Sequence, residues 1–256
     1  MNLSHVRALV TRPQPQAESL AQAIRKAHGQ AWAMPMLAID PLPETRATKD
    51  CLRMLDRFDT VIVTSRPAAR LGMALINRYW PQLPDHLRWF AIGGSSAGEL
   101  EQFNIRVQHS STGTDSEALL ATLGVVSGQR ILLIKGTGGR PLLEEQLADQ
   151  GASVQKIEVY QRSRPVYECT VNVNAVLKKL ESHAINVILC GSGETLTNLG
   201  YYLPTPYRAR YRLLVPSERV ANEAHSLGFR QIINARGASN DLMLQALVAP
   251  FEQHLF

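Results

Sequence analysis

The sequence predicts an α/β protein made of two similar domains, each with a parallel sheet covered by helices. Short apolar runs alternate with amphipathic helical segments along all 256 residues, and this alternation is typical of parallel sheets. The two halves also repeat the same order of strands and helix ends. A chain of this length accommodates two domains of ordinary size.

Local signals predict the elements in chain order. Strands are predicted where apolar residues run together, at residues 7–10, 59–64, 89–92 and 130–134. Helices are predicted at residues 14–28, from Pro67, after Ser96, after Thr114 and from Pro141. Gly29 is expected to end the first helix in the left-handed conformation. Capping boxes are expected at Ser96 with Glu99 and at Thr114 with Glu117.

Corresponding positions in the two halves are separated by between 122 and 127 residues. The pairs are Arg7 with Arg130, Gly29 with Gly151, Ser65 with Ser192, Ala97 with Ala221, and Leu120 with Leu244. Because the offset is nearly constant, the pattern indicates duplication of one α/β unit.

Two extended segments interrupt this rhythm, at residues 34–43 and 154–162. The first contains three prolines, which confine a strand to a sheet edge or to an isolated ribbon. We expect both segments to connect the domains, so that the chain crosses between them twice. The predicted domains are residues 1–36 with 165–256 and residues 43–158, with connectors near 37–42 and 159–164.

Composition excludes several classes of protein. Lysine and arginine number 27 against 22 aspartates and glutamates, and they are scattered, which argues against a nucleic-acid interface. The small positive excess suits either an anionic partner or simply a basic, soluble surface. Three widely spaced cysteines, with no signal-peptide pattern and no long apolar run, predict a cytoplasmic protein that does not bind membranes.

A glycine-rich segment runs from Lys135 to Arg140, between a predicted strand and a predicted helix. It lacks both the Gly-Lys-Ser/Thr ending of a phosphate-binding loop and the third glycine of a dinucleotide fingerprint. Its amides, with Lys135 or Arg140, are candidates for binding a carboxylate. The alternative is a tight turn that only needs glycine.

Hydroxyl residues collect at strand-to-helix turns: Thr11, Thr64, Ser65, Ser95, Ser96, Ser192 and Ser217. Each alone is typical of a helix N-cap. Together they would form two rows facing each other across a cleft, since ligands bind at the carboxyl ends of parallel strands. With Arg12, Arg66, Arg140 and Arg219, they predict a ligand that carries several carboxylates.

Groups suited to acid–base catalysis are sparse. The sequence has no serine-nucleophile elbow and no cysteine–histidine spacing typical of zinc. Glu144 and Glu145 are expected on a solvated helix face. Tyr160, in the second connector, is the candidate for proton transfer, and the alternative is an aromatic ring packed under that connector.

Several short segments carry a family resemblance through their order and spacing. They are Val10-Thr11-Arg12-Pro13, Val63-Thr64-Ser65 with Ala68, Ile92 to Ala97, Gly136 to Arg140 with Leu143, Leu147 and Gly151-Ala152, Val159-Tyr160, Ser192 with Asn198-Leu199, and Ser217-Glu218-Arg219 with Ala221, Ala224 and Gly228. In these segments, over nearly its whole length, the chain resembles the uroporphyrinogen-III synthase family.

The resemblance implies two flavodoxin-like α/β domains joined by a two-stranded β ribbon. It also implies a lyase that needs no metal or organic cofactor. This enzyme would cyclise and dehydrate hydroxymethylbilane, a linear tetrapyrrole, with inversion of ring D to give uroporphyrinogen III. The expected partner is this small-molecule polycarboxylate substrate, without nucleic acid or membrane, and hand-over from hydroxymethylbilane synthase is a further expectation. A monomer is expected because the packing of helices against the sheets accounts for the apolar residues of the pattern.

The resemblance also assigns residues. Tyr160 corresponds to a family tyrosine thought to assist departure of the hydroxyl group, and Ser96 to a threonine of the cleft. Val220 departs from the family, because relatives often carry threonine there. The expected substrate contacts are Arg12, Thr64, Ser65, Arg66, Ser96, Arg140, Ser192, Ser217 and Arg219.

Two other functions are compatible with the sequence. The first is a non-catalytic cytoplasmic module in which two lobes bind or sense a small anion, and turnover of hydroxymethylbilane would distinguish it from an enzyme. The second is a nucleotide-dependent enzyme, disfavoured by the missing phosphate fingerprint. A family member that keeps the fold without the activity is a third outcome.

Overall fold

The structure is a computed structural model that describes residues 1–110, 113, 115–139, 141–168 and 174–248. The strands are β1 (Arg7–Val10), β2 (Gln30–Ala33), β3 (Ala38–Pro41), β4 (Thr60–Val63), β5 (Arg88–Ala91), β6 (Val107–His109), β7 (Arg130–Gly136), β8 (Ser153–Ser163), β9 (Val187–Leu189), β10 (Arg212–Val215) and β11 (Gln231–Asn234). These strands confirm the four predicted from apolar runs.

Helices alternate with the strands. They are α1 (Gln16–Lys26), α2 (Arg46–Arg53), α3 (Arg66–Ile76), α4 (Gly94–Glu101), α5 (Ser116–Leu123), α6 (Leu142–Asp149), α7 (Ala175–Ser182), α8 (Gly193–Tyr202), α9 (Thr205–Arg208), α10 (Glu218–Ser226) and α11 (Asn240–Ala246), with a 3₁₀ helix at Leu55–Arg57. Among the described residues, none of these helices combines the length and apolar character that a bilayer crossing requires.

The chain divides into two compact units. The terminal unit comprises Met1–Ala38 and Ser163–Phe256, and the inserted unit comprises Ile39–Arg162. The sheet of the terminal unit has the strand order β11-β10-β9-β1-β2, and that of the inserted unit β3-β8-β7-β4-β5-β6. The strand pairs β1–β2, β1–β9, β9–β10 and β10–β11 of the terminal unit are parallel. The pairs β4–β5, β4–β7, β5–β6 and β7–β8 of the inserted unit are parallel too, as the alternation of strands and helices predicts.

The two sheets repeat one topology. When strands are matched by the sequence offset, β2-β1-β9-β10-β11 corresponds in order to β8-β7-β4-β5-β6. Registers correspond too, since Arg7 lies opposite Gln30 and Arg130 lies opposite Ser153. In chain order the terminal sheet has the arrangement 2-1-3-4-5 of flavodoxin-like folds. Shared order and register support the duplication inferred from the sequence.

Each sheet is buried on both faces, because successive side chains of a strand point to opposite sides. In β4, Val61 and Val63 pack in one apolar cluster while Ile62 packs in another. In β1, Leu9 and its neighbours Ala8 and Val10 divide between two clusters in the same way. Helices therefore cover both faces of each sheet, and the strands read as continuous apolar runs.

Strand β3 is one of the two edge strands of the inserted unit's sheet, the other being β6, and it pairs with β8. The amide of Leu42 donates to the carbonyl of Val159 at 3.1 Å. Pro41 is tolerated here because an edge strand has one side without a ladder partner. The edge position confirms what the prolines predict, whereas a separate ribbon joining the two domains stays a prediction.

The first helix ends at Lys26, two residues before its predicted end, and the left-handed residue that follows it is displaced by one position. His28, and not Gly29, takes the left-handed conformation, with φ of 69°. Gly29 is required for space instead, because a Cβ there would lie 2.7 Å from Ile24 Cγ2 and 3.1 Å from the Leu3 carbonyl oxygen.

Both predicted capping boxes are wrong. Helix α4 begins at Gly94 with Gly93 as N-cap, so Ser96 lies within its first turn. Gly93, with φ of 75°, turns the chain into the helix earlier than the sequence suggests. Helix α5 is capped by Asp115, whose side chain accepts from the Ala118 amide at 2.9 Å. Aspartate is a stronger N-cap than threonine, and Thr114 lies outside the described residues.

Candidate functional site

The inserted unit contains a solvent-open cavity at the carboxyl ends of its central strands, with about 680 Å³ of empty space when the solvent at its mouth is included. It lies where β7 pairs with β4, the point at which the chain order of the sheet reverses, and open α/β sheets bind ligands at such points. Its polar lining consists of the hydroxyl groups of Thr64, Ser65, Ser116, Thr137 and Tyr160, the charged side chains of Lys135, Glu144 and Arg162, and Gly136, Gly138 and Gly139.

Tyr160 lies on β8 in the wall of this cavity and is only 3% exposed. An irregularity in the β7–β8 register brings Gly136 opposite Tyr160, and the Thr137 amide donates to the Tyr160 carbonyl at 2.8 Å. The aromatic ring lies directly against Gly136: a Cβ at that position would be 2.4 Å from Tyr160 Cζ. Glycine is therefore required at 136 for the ring to occupy this position.

The Tyr160 hydroxyl meets the N-terminus of α3. Its oxygen lies 3.1 Å from Ser65 Oγ, and Ser65 caps α3 by accepting from the Ala68 amide at 3.2 Å. Thr64 Oγ1 donates to the Ile134 carbonyl on β7 at 3.4 Å. The structure thus brings three of the predicted site residues, Thr64, Ser65 and Tyr160, into one cavity.

Lys135 and Glu144 form another part of the wall, and Lys156 joins them in a lysine–glutamate–lysine cluster without lining the cavity. Glu144 Oε1 accepts from Lys135 Nζ at 2.7 Å and Glu144 Oε2 accepts from Lys156 Nζ at 2.8 Å. Burial acts to raise the pKa of Glu144, but the two lysine hydrogen bonds outweigh it and hold the pKa below its ordinary value. Lys135 is 9% exposed, and its charge is balanced within the cavity wall.

The glycine-rich segment follows β7 and precedes α6, as predicted. Gly138 and Gly139 have φ of +77° and +85°, which side-chain-bearing residues rarely adopt. Both glycines line the cavity next to Lys135. Arg140, the other predicted cation of this segment, lies outside the described residues.

Two predicted contacts of the inserted unit are not among the residues that line the cavity. The Arg66 side chain is 45% exposed, with Nε 4.0 Å from Glu99 Oε2. Ser96 is 3% exposed inside α4. Arg66 thus approaches the neighbouring helix α4, and Ser96 is buried within α4.

The predicted contacts of the terminal unit are engaged within that unit. Arg12 is 8% exposed; its Nη1 donates to Asn240 Oδ1 at 2.9 Å and its Nη2 donates to the Ala238 carbonyl. Ser192 and Ser217 cap α8 and α10, which confirms the N-cap interpretation of both. Arg219 pairs with Glu223 one helical turn along α10, at the protein surface.

Sequence reasoning missed Glu144 and Lys156 as members of the charged cluster around Lys135. Glu144 was expected on a solvated helix face, and this is wrong, because the first turn of α6 points it at Lys135 and Lys156. A buried lysine at the end of a strand requires a counter-ion, and an acidic first turn in the next helix is the nearest source of one. Among the described residues, no group of three histidine, cysteine, aspartate or glutamate side chains is placed to hold a metal ion.

Known proteins of one family match this chain over most of its length. The model of the uroporphyrinogen-III synthase HemD family matches residues 18–245. The uroporphyrinogen-III synthase of Escherichia coli K12 is 32% identical over 251 residues, covering 93% of this chain and 98% of the relative. That of Salmonella typhimurium LT2 is 33% identical over 249 residues, with the same coverage.

Solved structures support the fold. A mutant uroporphyrinogen III synthase from the extreme thermophile Thermus thermophilus superposes with a TM-score of 0.56 at 17% identity, covering 94% of this chain and 96% of that one. The Helicobacter pylori 26695 uroporphyrinogen-III synthetase gives 0.55 at 12% identity, covering 94% and 97%. With a family match over nearly the whole length and curated relatives above 30% identity, the chain belongs to the uroporphyrinogen-III synthase family.

Proposed function

We propose that this protein is a uroporphyrinogen-III synthase, a lyase that cyclises and dehydrates hydroxymethylbilane with inversion of ring D. The observation that carries the proposal is the buried Tyr160 hydroxyl, 3.1 Å from Ser65 Oγ in a cavity at the switch point of the sheet. Family membership and the names of the two enterobacterial relatives support the same reaction.

The chemical step begins with departure of the substrate's terminal hydroxyl group. Tyr160 donates a proton to this hydroxyl, the carbon–oxygen bond breaks, and its electron pair leaves with water. The electron pair of the adjacent pyrrole nitrogen stabilises the cation that remains on the methylene carbon. Ring closure later releases one proton, which restores the tyrosine, so the overall reaction loses one water molecule. Positioned proton donors of this kind accelerate reactions by about 10²- to 10⁴-fold.

Selection of the product isomer depends on holding the flexible chain so that ring D reacts at its substituted carbon. Charged side chains of the cavity wall are suited to holding a chain that carries carboxylates, because charge-assisted hydrogen bonds are stronger than hydrogen bonds between neutral groups. We assign one carboxylate contact to Lys135, assisted by Thr137 and the glycine amides. The predicted contacts of Arg12, Arg66, Ser96, Arg140, Ser192, Ser217 and Arg219 stay part of the proposal.

The proposal extends to the protein's setting. The compact units support the predicted domains, residues 1–36 with 165–256 and residues 43–158. Burial raises the pKa of the Cys51 thiol to about 11 and that of Cys190 to about 12, which suits unreactive thiols in the cytoplasm. We also propose that the protein is a monomer and that it accepts its substrate from hydroxymethylbilane synthase. Analytical ultracentrifugation with and without that enzyme tests both proposals.

The test of the reaction is a coupled assay. Purified protein receives hydroxymethylbilane, the product is oxidised, and the type III and type I isomers are separated and quantified. We expect type III to dominate, whereas buffer alone gives type I by unaided closure. Type I at the buffer level would contradict the proposal and would favour a binding module or an inactive family member.

A further inference from the structure

Ser65 has two hydrogen-bonding neighbours, one on each side of its hydroxyl group. The first is the Ala68 amide, whose nitrogen lies 3.2 Å from Ser65 Oγ. The second is the Tyr160 hydroxyl, 3.1 Å away. The amide can only donate, so Ser65 Oγ is an acceptor towards the helix and its own hydrogen remains for another partner.

The helix determines which way that hydrogen points. Ser65 caps α3, an 11-residue helix, and the N-terminus of a helix carries partial positive charge from its unsatisfied amides. A hydroxyl hydrogen directed towards those amides is repelled, whereas the lone pairs of the oxygen are attracted. Either oxygen can be the donor across the 3.1 Å between Ser65 and Tyr160, and the field of the helix favours the arrangement in which the Ser65 hydrogen points away from α3, towards the Tyr160 oxygen.

This direction has a consequence for the tyrosine. A phenol hydrogen stays close to the plane of its ring, and one side of the Tyr160 oxygen is occupied by the hydrogen of Ser65. The ring lies against Gly136 of β7, with 3% of the residue exposed, so it has little freedom to reorient. The remaining direction for the Tyr160 hydrogen leads away from Ser65, into the cavity that both residues line.

We propose that Ser65 is a positioning residue that donates to the Tyr160 oxygen and so keeps the tyrosine's hydrogen directed at the departing hydroxyl group of the substrate. The proposal rests on the proposed function, because it assigns Ser65 a role through Tyr160. It also distinguishes Ser65 from an ordinary helix cap: the cap needs only an acceptor, whereas the positioning role needs the hydroxyl hydrogen.

Three substitutions separate these two roles. Ser65→Gly removes the hydroxyl group but retains a favourable N-cap, since glycine is itself among the residues preferred at that position. Ser65→Ala removes both the hydroxyl group and the cap. Ser65→Thr retains both. Thr45→Ala is the matched control for stability, because Thr45 caps α2 in the same unit and is not among the residues that line the cavity.

The isomer-resolved assay is run on each variant, with thermal unfolding recorded alongside. We expect kcat for type III formation to fall by about tenfold in both Ser65→Gly and Ser65→Ala, the loss that corresponds to one strong hydrogen bond. KM should change less than about twofold. Ser65→Thr should recover most of the rate, and Thr45→Ala should lower only the unfolding temperature.

The double variant Ser65→Ala with Tyr160→Phe completes the cycle. If Ser65 acts through Tyr160, the double variant has the same kcat as Tyr160→Phe alone. A Ser65→Gly enzyme with wild-type kcat, or losses that multiply in the double variant, would overturn the inference and leave the synthase proposal standing. Absence of type III product from the wild-type protein would instead overturn the synthase proposal, and this inference with it.

Discussion

The two sheets share an order and a register but differ in what lies at their carboxyl ends. Lys135 is the penultimate residue of β7, and at the offset of 123 its counterpart is Arg12, two residues after the end of β1; both are buried cations. Lys135 pairs with a carboxylate in a cavity wall, whereas Arg12 donates to Asn240 and to a backbone carbonyl. The same position thus carries a cation that lines a cavity in one unit and a cation held by Asn240 and the Ala238 carbonyl in the other.

The capping serines show the same contrast. Ser65 and Ser192 occupy corresponding turns, and each caps a helix. Ser65 also contacts the Tyr160 hydroxyl, whereas Ser192 contacts Thr195 on its own helix at 2.9 Å. At the offset that relates the first strands, the counterpart of Tyr160 is Leu37, a buried apolar residue. The two units therefore share one strand order and differ in a few side chains at the carboxyl ends of their strands.

Apart from removal of the Tyr160 hydroxyl group itself, the largest effect is expected from Gly136→Ala. The backbone of Gly136 does not have the positive φ that disfavours alanine, and the three atoms nearest to an added Cβ all belong to the Tyr160 ring. The ring must move, and a displacement of about 1 Å can cost about 10²-fold in rate. We expect a loss of this size in kcat, measured by the isomer-resolved assay.

Gly200→Ala is the control for this prediction. A Cβ at Gly200 in α8 makes only ordinary contacts, the nearest at 3.7 Å, and alanine favours a helix over glycine by about 0.5–1 kcal/mol. We expect unchanged activity and slightly higher stability. Full activity of Gly136→Ala would show that the position of the tyrosine ring is unimportant.

The next effect concerns the cation of the cavity wall. Lys135→Met and Lys156→Met each remove one lysine partner of Glu144, but only Lys135 lines the cavity. If Lys135 binds a substrate carboxylate, its removal costs about 1.5–3 kcal/mol of binding, which is about a tenfold or larger rise in KM. Lys156→Met should change KM little, and equal KM values for the two variants would contradict the assignment.

Arg12→Met tests the structural side of the comparison. Loss of two hydrogen bonds from a buried cation is expected to lower the free energy of unfolding by about 2–3 kcal/mol. Arg7→Met on the same strand is the control, because Arg7 donates to the Ala184 carbonyl from an exposed position and should cost less than about 1 kcal/mol. Denaturant unfolding measures both. A raised KM with unchanged stability would instead support the predicted substrate contact of Arg12.

The smallest effect is the pH dependence of the Glu144 cluster. The folded-state pKa of Glu144 lies below its unfolded value of 4.5, so its contribution to stability is present above pH 4.5 and is lost as pH falls through the folded pKa. The stability difference between wild type and Glu144→Gln should therefore be constant near neutral pH and shrink in acid. A difference that grows as pH falls below 4.5 would contradict the assigned pKa direction.

The parallel sheets, the edge strand and the three serine caps could be predicted because each depends on nearby sequence. Helix ends were less certain. At the end of α1 the left-handed residue is His28, whereas Gly29 is needed because a side chain there would collide with Ile24 and Leu3. The sequence pattern does not reveal that close approach. Burial of Ser96 follows from the early entry into α4 at Gly93.

The site was predicted in part. Thr64, Ser65 and Tyr160 were found because they follow strands or lie in an unusual extended segment. The role of Glu144 was missed because an acidic first turn is common on helices whether or not it is solvated. The requirement for Gly136 arises from an aromatic ring 24 positions away in sequence, and only the register of β7 with β8 brings the two together.

Tyr160→Phe tests the central claim most directly, since it removes one oxygen atom and retains the ring against Gly136. The measurement is the initial rate of type III isomer formation, corrected for unaided closure to type I, with thermal unfolding as the control for folding. The account predicts a loss of about 10²-fold or more with an unfolding temperature close to that of the wild type. A folded Tyr160→Phe protein that forms type III at a rate near the wild-type rate would contradict it.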